Sequence, residues 1–194
     1  PRPAPVPGRL LMVGLLEHAP NAVGLRRFVD EVLPSVRERV PGAELHAVGF
    51  HGVNFASTFG SAVDVPGLVL RGFVEDLAQE YARASVVIAP IFTGGGTQIK
   101  VIDALAHERP LVASPFAYGG FAADLKAPDH LRVARDPAEW IEHCVALLKD
   151  PAAAEALAAR GHRAASVYDA GTMTITIQTM VRQVLGEQFP QVRQ

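Results

Sequence analysis

The sequence predicts an α/β domain: a doubly wound parallel sheet of about six strands with helices on both faces. Three observations carry that expectation. Short apolar runs alternate with longer segments of helical periodicity, the order expected of successive βα units. Several of the runs stop at a glycine, at Gly14, Gly49 and Gly72, where a strand would hand over to a loop. Finally, 194 residues that are 49% hydrophobic and 20% charged have the composition of a globular domain, not of a disordered chain.

The elements follow in order. PRPAPVPG, residues 1–8, reads as a linker remnant; one domain is expected over 9–187 and a short tail over 188–194. Arg9 to Val13 (RLLMV) predicts the first strand. Asn21 is expected to cap a helix in which Leu25, Val29, Val32, Val36 and Val40 recur at helical spacing, closed by Pro41 and Gly42. Glu44 to Val48 and Leu68 to Leu70 predict the next strands, and Asp76 to Ala84 a short helix. Val86 to Ala89 is a buried-type strand; Thr97 is then expected to cap a helix reaching His107, with Ile99, Ile102, Leu105 and Ala106 turned inward. Pro110 to Ala113 predicts a strand and Leu131 to Ala134 an edge strand. Glu139 to Leu148, Ala152 to Arg160 and the final segment to Glu187 predict helices, although Thr172 to Thr179 alternates as a strand would.

Composition excludes several function classes. Eighteen basic against twenty acidic side chains give a net charge of −2, which is no footprint for a nucleic-acid partner. The longest apolar run, Val86 to Phe92, is too short to span a bilayer. No charged-then-apolar secretory signal opens the sequence, and the single cysteine, Cys144, allows no internal disulfide. A cytoplasmic location is the expectation. Cys144 sits in WIEHCVALL, where a buried structural thiol is expected, and Trp140 in the same run reads as a packing residue. No G-x-x-x-x-G-K-[ST], H-E-x-x-H or G-x-S-x-G occurs, so phosphate-loop, zinc-peptidase and α/β-hydrolase chemistry are unsupported. No metal site and no bound cofactor are expected.

What remains is a glycine-rich strand end. Gly94, Gly95 and Gly96 follow the fourth strand and precede a helix, so backbone N–H groups can approach a ligand closely. The helix adds roughly half a positive charge at its N-terminus, suited to phosphate. Lys100 could add a full charge, and Asp103, on the same helical face, can accept from sugar hydroxyls. On local pattern alone, a tight turn and a solvated Lys100–Asp103 pair explain these residues equally well; such a pair stabilises by under ~1 kcal/mol. The cluster is not a dinucleotide fingerprint, because Ile99 takes the place of the last glycine of G-x-G-x-x-G. His18 in the first loop reads as an exposed loop histidine, and Tyr118-Gly119-Gly120 as a turn or a mobile loop.

Taken together, the segments resemble the C-terminal, donor-binding half of retaining GT-B glycosyltransferases, a Rossmann-like domain. MVGLLEHAPNAVGLRRFVDEVLP resembles that family's opening strand, loop and helix, and LHAVG its second strand. LRGFVEDLAQEYARASVVIAPI resembles the stretch from the nucleobase site into the next strand, and GGGTQIKVIDALAHERPLVAS the signature GxGTxxKxxEAxAxGxPVVA. The match runs in order from about Arg9 to Tyr168.

The resemblance implies a nucleotide-diphosphate sugar as donor substrate. Gly14 would then lie against the diphosphate and the transferred sugar, Gly49 near the nucleotide, and Phe73 and Val74 against the base, largely through backbone. Gly95, Gly96, Thr97 and Gln98 would offer N–H groups to sugar and phosphates, with Lys100 close by. Asp103 aligns with the glutamate that holds ribose hydroxyls. The catalytic residues themselves stay unassigned. Three departures stand out: Gly95 where the wider family has a glutamate, Asp103 one methylene short, and Glu17 and Val23 where a diphosphate-binding Arg and Lys are usual. No D-x-D occurs, so metal-bridged diphosphate chemistry is not expected. The partner implied is an N-terminal acceptor domain of the same protein, without which this half would be inactive; peripheral membrane association of the full protein stays open. The alternatives are a degenerate, non-catalytic sugar-nucleotide-binding or protein-interaction domain, and half of a nucleotide-sugar epimerase.

Overall fold

The computed structural model describes residues 4–49 and 65–169. Six strands form one parallel sheet: β1 (Arg9–Val13), β2 (Glu44–Val48), β3 (Leu68–Gly72), β4 (Val86–Ala89), β5 (Leu111–Ala113) and β6 (Arg132–Val133). Their order across the sheet is β3-β2-β1-β4-β5-β6. All five neighbouring pairs are parallel, with Leu10 opposite Leu45 on one side and Val86 on the other. β4 and β5 are apolar and buried throughout, and β1 and β2 are buried over Arg9–Met12 and Leu45–Val48, as a sheet covered by helices requires.

Helices α1 (Ala19–Glu31), α2 (Leu33–Arg39) and α6 (Pro137–Lys149) pack together on one face. Phe28 of α1 meets Trp140 of α6 edge-on, with ring centroids 5.6 Å apart, so Trp140 is the packing residue the sequence suggested. The other face carries α3 (Leu77–Arg83) against β1 and α4 (Ile99–Ala106) against β4 and β5. Helix α7 (Pro151–Ala165) packs on α4, and Tyr81 of α3 stacks on His107 just beyond α4 at 4.3 Å. Between β5 and β6 lies the short α5 (Pro115–Gly119). Cys144 is fully buried, and burial pushes its thiol pKa well up. No helix among the described residues is long and apolar enough to cross a membrane.

Four sequence expectations are corrected. The single helix expected from Asn21 to Val40 is two, because Pro34, near the start of α2, has no N–H for a continuing ladder and Val32 leaves helical geometry. Helix α1 begins at Ala19, before Pro20, so Asn21 lies inside it and caps nothing. Gln98, not Thr97, precedes α4, whose buried face is Val101, Ala104 and Leu105 while Ile99 and Ala106 are exposed. That run is apolar almost all round, so its periodicity could not choose a face. Tyr118 and Gly119 end the short α5, whose first turn is capped by Ser114 accepting from the Ala117 N–H at 3.1 Å. The helix expected up to Glu187 lies outside the described residues beyond Asp169.

Candidate functional site

β1 pairs with β2 on one side and β4 on the other, so the chain reverses its winding direction between β1 and β4. In such a sheet the loops that leave the two strands diverge and open a crevice at their carboxyl ends. Here those loops are residues 14–18 and 90–98, and the sequence-predicted glycines sit in them or beside them.

The strand ends are tied side by side. Gly14 N–H donates to Val48 O (3.0 Å), Leu16 N–H to Gly49 O (3.0 Å) and Gly49 N–H to Gly72 O (2.9 Å). Gly49, at φ +111°, sits so close that a Cβ there would stand 2.7 Å from Gly14 O. A side chain is excluded on both counts. Across the crevice, Gly94 at φ +128° lies over Pro20 at the start of α1. Gly24, one turn further along α1, would put a Cβ only 1.9 Å from Pro90 O, so α1 is pressed against the end of β4. Gly95 and Gly96 face open space.

Lys100, in the first turn of α4, reaches into this junction. Its Nζ donates to Asn21 Oδ1 (2.8 Å) and to Gln98 Oε1 (3.4 Å). Asn21 is buried, and its Nδ2 donates in turn to Leu15 O at 2.7 Å. Among the described residues no carboxylate pairs with Lys100, and burial lowers its pKa from the ordinary lysine value. The Lys100–Asp103 ion pair that local pattern allowed is therefore not formed.

Asp103 lies three residues beyond Lys100 on α4. Burial raises its pKa, opposed by His107, and its carboxylate also contributes, after burial, to the raised pKa of Tyr81 on α3. Among the described residues the Asp103 carboxylate makes no hydrogen bond, and the Tyr81 hydroxyl is buried without a partner. Phe73, 65% exposed, and Val74, packed against the core, follow β3 at the far side of the same carboxyl-end rim. His18 is the N-cap residue of α1: its carbonyl accepts from the Asn21 and Ala22 N–H groups, while its side chain is exposed and makes no cap hydrogen bond.

The structure thus brings Gly14, Gly49, Gly94 and Lys100 into one junction, with Gly95, Gly96, Thr97 and Gln98 in its loop. Asp103 lies one turn up α4, and Phe73 and Val74 lie two strands away. Asn21 was missed as a site residue. An asparagine just after a proline at a helix start has the pattern of a cap, and nothing local reveals that its amide bridges two loops. The arrangement can do one thing well: present a full positive charge, exposed loop backbone and a helix N-terminus to an anion, with an acceptor nearby for hydroxyls. Among the described residues no group of three or more His, Cys, Asp or Glu side chains could hold a metal ion.

Comparison with known proteins locates this fold. The family model described as "Glycosyl transferases group 1" matches residues 7–150. No curated protein sequence matches the chain. S. aureus TarM, in a structure with Fondaparinux, alpha-GlcNAc-glycerol and UDP, superposes with a TM-score of 0.72 at 14% identity, covering 93% of this chain and 36% of its own. Anabaena HepE, in complex with UDP and glucose, gives 0.68 at 13% identity over 92% of this chain and 48% of its own. The C-terminal domain of a group 1 glycosyl transferase protein, LpcC, from Francisella tularensis gives 0.66 at 11% identity over 84% of this chain and 87% of its own. At these identities the likeness is one of fold. The chain spans 36% of TarM and 48% of HepE, so it corresponds to one part of those proteins.

Proposed function

The chain belongs to the group 1 glycosyltransferases, and from that premise we propose that it is the donor-binding half of a GT-B enzyme acting on a nucleotide-diphosphate sugar. The observation that carries the reading is Lys100: a half-buried ammonium, unpaired with any carboxylate among the described residues, at the switch point of the sheet. A buried cation without a counter-charge is costly. A diphosphate in the crevice would remove that cost.

In this reading the diphosphate lies between the loop after β1 and the glycine loop after β4. Gly14 and Gly49 keep the crevice floor free of side chains, and Gly95, Gly96, Thr97 and Gln98 offer backbone N–H groups. Asp103, whose carboxylate makes no hydrogen bond among the described residues and is set back along α4, accepts from ribose hydroxyls, and the base lies along the rim at Phe73 and Val74. As the bond from the sugar's anomeric carbon to the phosphate oxygen breaks, negative charge grows on the departing diphosphate. Lys100 and the α4 N-terminus, already oriented, stabilise that charge and lower the barrier. The acceptor hydroxyl would attack from a preceding domain of the longer protein, with retention of configuration, so this chain alone would bind donor and transfer nothing. TarM and HepE structures hold UDP, which makes uridine nucleotides the first to try.

The test is calorimetric titration with UDP, GDP, ADP and dTDP. Binding of one of them, weakened by Lys100→Ala by about ten- to a hundredfold, the worth of a charged hydrogen bond, and also weakened by Asp103→Ala, is the expected result. Binding of none of them by a folded sample that includes the preceding domain would instead favour a degenerate or protein-interaction domain. That second reading draws on three features: Gly95, Asp103 in place of a glutamate, and the absence of any Arg or Lys in the loop after β1, residues 14–18.

A further inference from the structure

We propose that Asn21 is a positioning residue, which holds the Lys100 ammonium in the crevice without neutralising it; this rests on the donor-site reading above. The Asn21 side chain is 6% exposed and spans the two loops that form the site. Its Nδ2 donates to Leu15 O of the loop after β1 at 2.7 Å, and its Oδ1 accepts from Lys100 Nζ of the helix after β4 at 2.8 Å.

Only an amide of this length satisfies both ends. A carboxylate in its place would have no hydrogen to give Leu15 O, and it would pair with Lys100 and cancel the charge the diphosphate needs. An apolar side chain would remove one of the two donors to the Leu15 carbonyl, leaving the His18 N–H at 3.1 Å, and the shorter of the two contacts that hold the ammonium. The second acceptor, Gln98 Oε1, is also neutral, so both contacts fix the direction of the ammonium while its net charge survives.

The surroundings are shaped to the amide. Gly14 has no side chain at the point where a Cβ would meet the Asn21 Cγ, Oδ1 and Nδ2, all at 3.0 Å. Gly24, on α1 one turn beyond Asn21, leaves room for Pro90 O, where a Cβ would stand only 1.9 Å away, so α1 can lie against the end of β4. Gly14, which looks like an ordinary turn residue, thus serves one side chain, which in turn serves the cation.

A double-mutant cycle on UDP affinity, with uridine as the phosphate-free reference, tests the assignment. If Asn21 acts through Lys100, Asn21→Ala lowers UDP affinity about tenfold in the native background, leaves uridine affinity unchanged, and costs under about twofold once Lys100→Ala is present. Asn21→Asp should weaken UDP at least as much as Asn21→Ala. Additive losses in the cycle, equal losses for UDP and uridine, or an Asn21→Asp protein that binds UDP as the native chain does would each overturn the assignment. Should substitution at Asn21 unfold the chain, Gly14→Ala displaces the amide from outside and must give the same non-additivity with Lys100→Ala. A native chain that binds none of UDP, GDP, ADP and dTDP overturns the donor-site reading and this inference with it. Binding lost in Lys100→Ala but untouched by every change at Asn21 and Gly14 overturns this inference alone.

Discussion

Lys100 carries its charge where an ion pair would have been easier to build, and its lowered pKa, caused by burial, has two consequences of opposite sign. In the ligand-free chain the folded state binds fewer protons than the unfolded one between the lowered value and the ordinary 10.5, so Lys100 makes stability rise with pH across that window. Below the window the cost of burying the charge is felt in full, and Lys100→Met should therefore raise the melting temperature at pH 7. Diphosphate binding favours the protonated form, so affinity for UDP should fall as pH rises through the folded value, beginning below 10.5. Lys100→Arg, protonated throughout, should flatten that profile if its longer head still reaches the crevice; calorimetry from pH 7 to 10.5 reads it. The three glycines beside it also separate at this scale. Gly96 has φ +76°, so Gly96→Ala should cost about 1 kcal/mol in chemical denaturation. Gly95 has ordinary φ and nothing within 4 Å of the point where a Cβ would stand, so Gly95→Ala should be neutral or stabilise by about 0.4–1 kcal/mol. In the sequence GGG is one feature, because backbone angles leave no mark on identical residues.

Among the elements, legibility followed burial. The buried strands were visible as apolar runs because a covered parallel sheet asks for apolar residues on both faces, and their extents differ from expectation by a residue or two. Helix starts were less visible, although Asp136-Pro137 and Asp150-Pro151 carried the signal. Each aspartate accepts from the N–H three residues on at 2.9 Å, and each proline sits where no N–H is needed. The five-residue α5 was missed because one turn has no periodicity to read. The contact that sets the site, α1 against β4, was also illegible: Gly24 sits mid-helix, where glycine is normally a cost. Its reason is Pro90 O, 1.9 Å from the place a Cβ would occupy. Gly24→Ala should force α1 away from β4 and destabilise by about 1–3 kcal/mol, against the gain that helix propensity alone predicts. Urea denaturation distinguishes the two signs, and a stabilised variant would show that the contact yields without cost.

At the scale of the molecule, a net charge of −2 is compatible with phosphate recognition only if the positive charge is local, and Lys100 with the α4 N-terminus is a local solution. The ordered set of strand-end motifs made the fold and the family legible, since each motif is weak and their sequence along the chain is not. The bridge through Asn21 was invisible because it joins residues 79 apart. The carboxyl-end rim also collects exposed apolar side chains: Leu15 after β1, Val23 on α1, Phe73 after β3, Ile99 on α4 and Phe116 on α5. In the proposed reading a preceding acceptor domain packs on that rim, and the last expectation, metal independence, concerns the crevice beneath it. A glycosyltransferase that neutralises its leaving diphosphate with a divalent cation needs carboxylates to carry the metal. The whole sequence contains no D-x-D, Glu17 and Asp103 stand on separate elements on the two sides of the crevice, and among the described residues no group of three or more His, Cys, Asp or Glu could hold a metal ion. Apart from Glu17, the crevice offers a cation, amides and backbone N–H groups, which compete with a metal for the same phosphate oxygens. UDP affinity is accordingly expected to stay within about twofold when EDTA replaces magnesium, whereas Lys100→Ala reduces it in both buffers. Affinity that collapses in EDTA and returns with magnesium would mean that the cation is supplied from solution, and that Lys100 is not the group that meets the diphosphate.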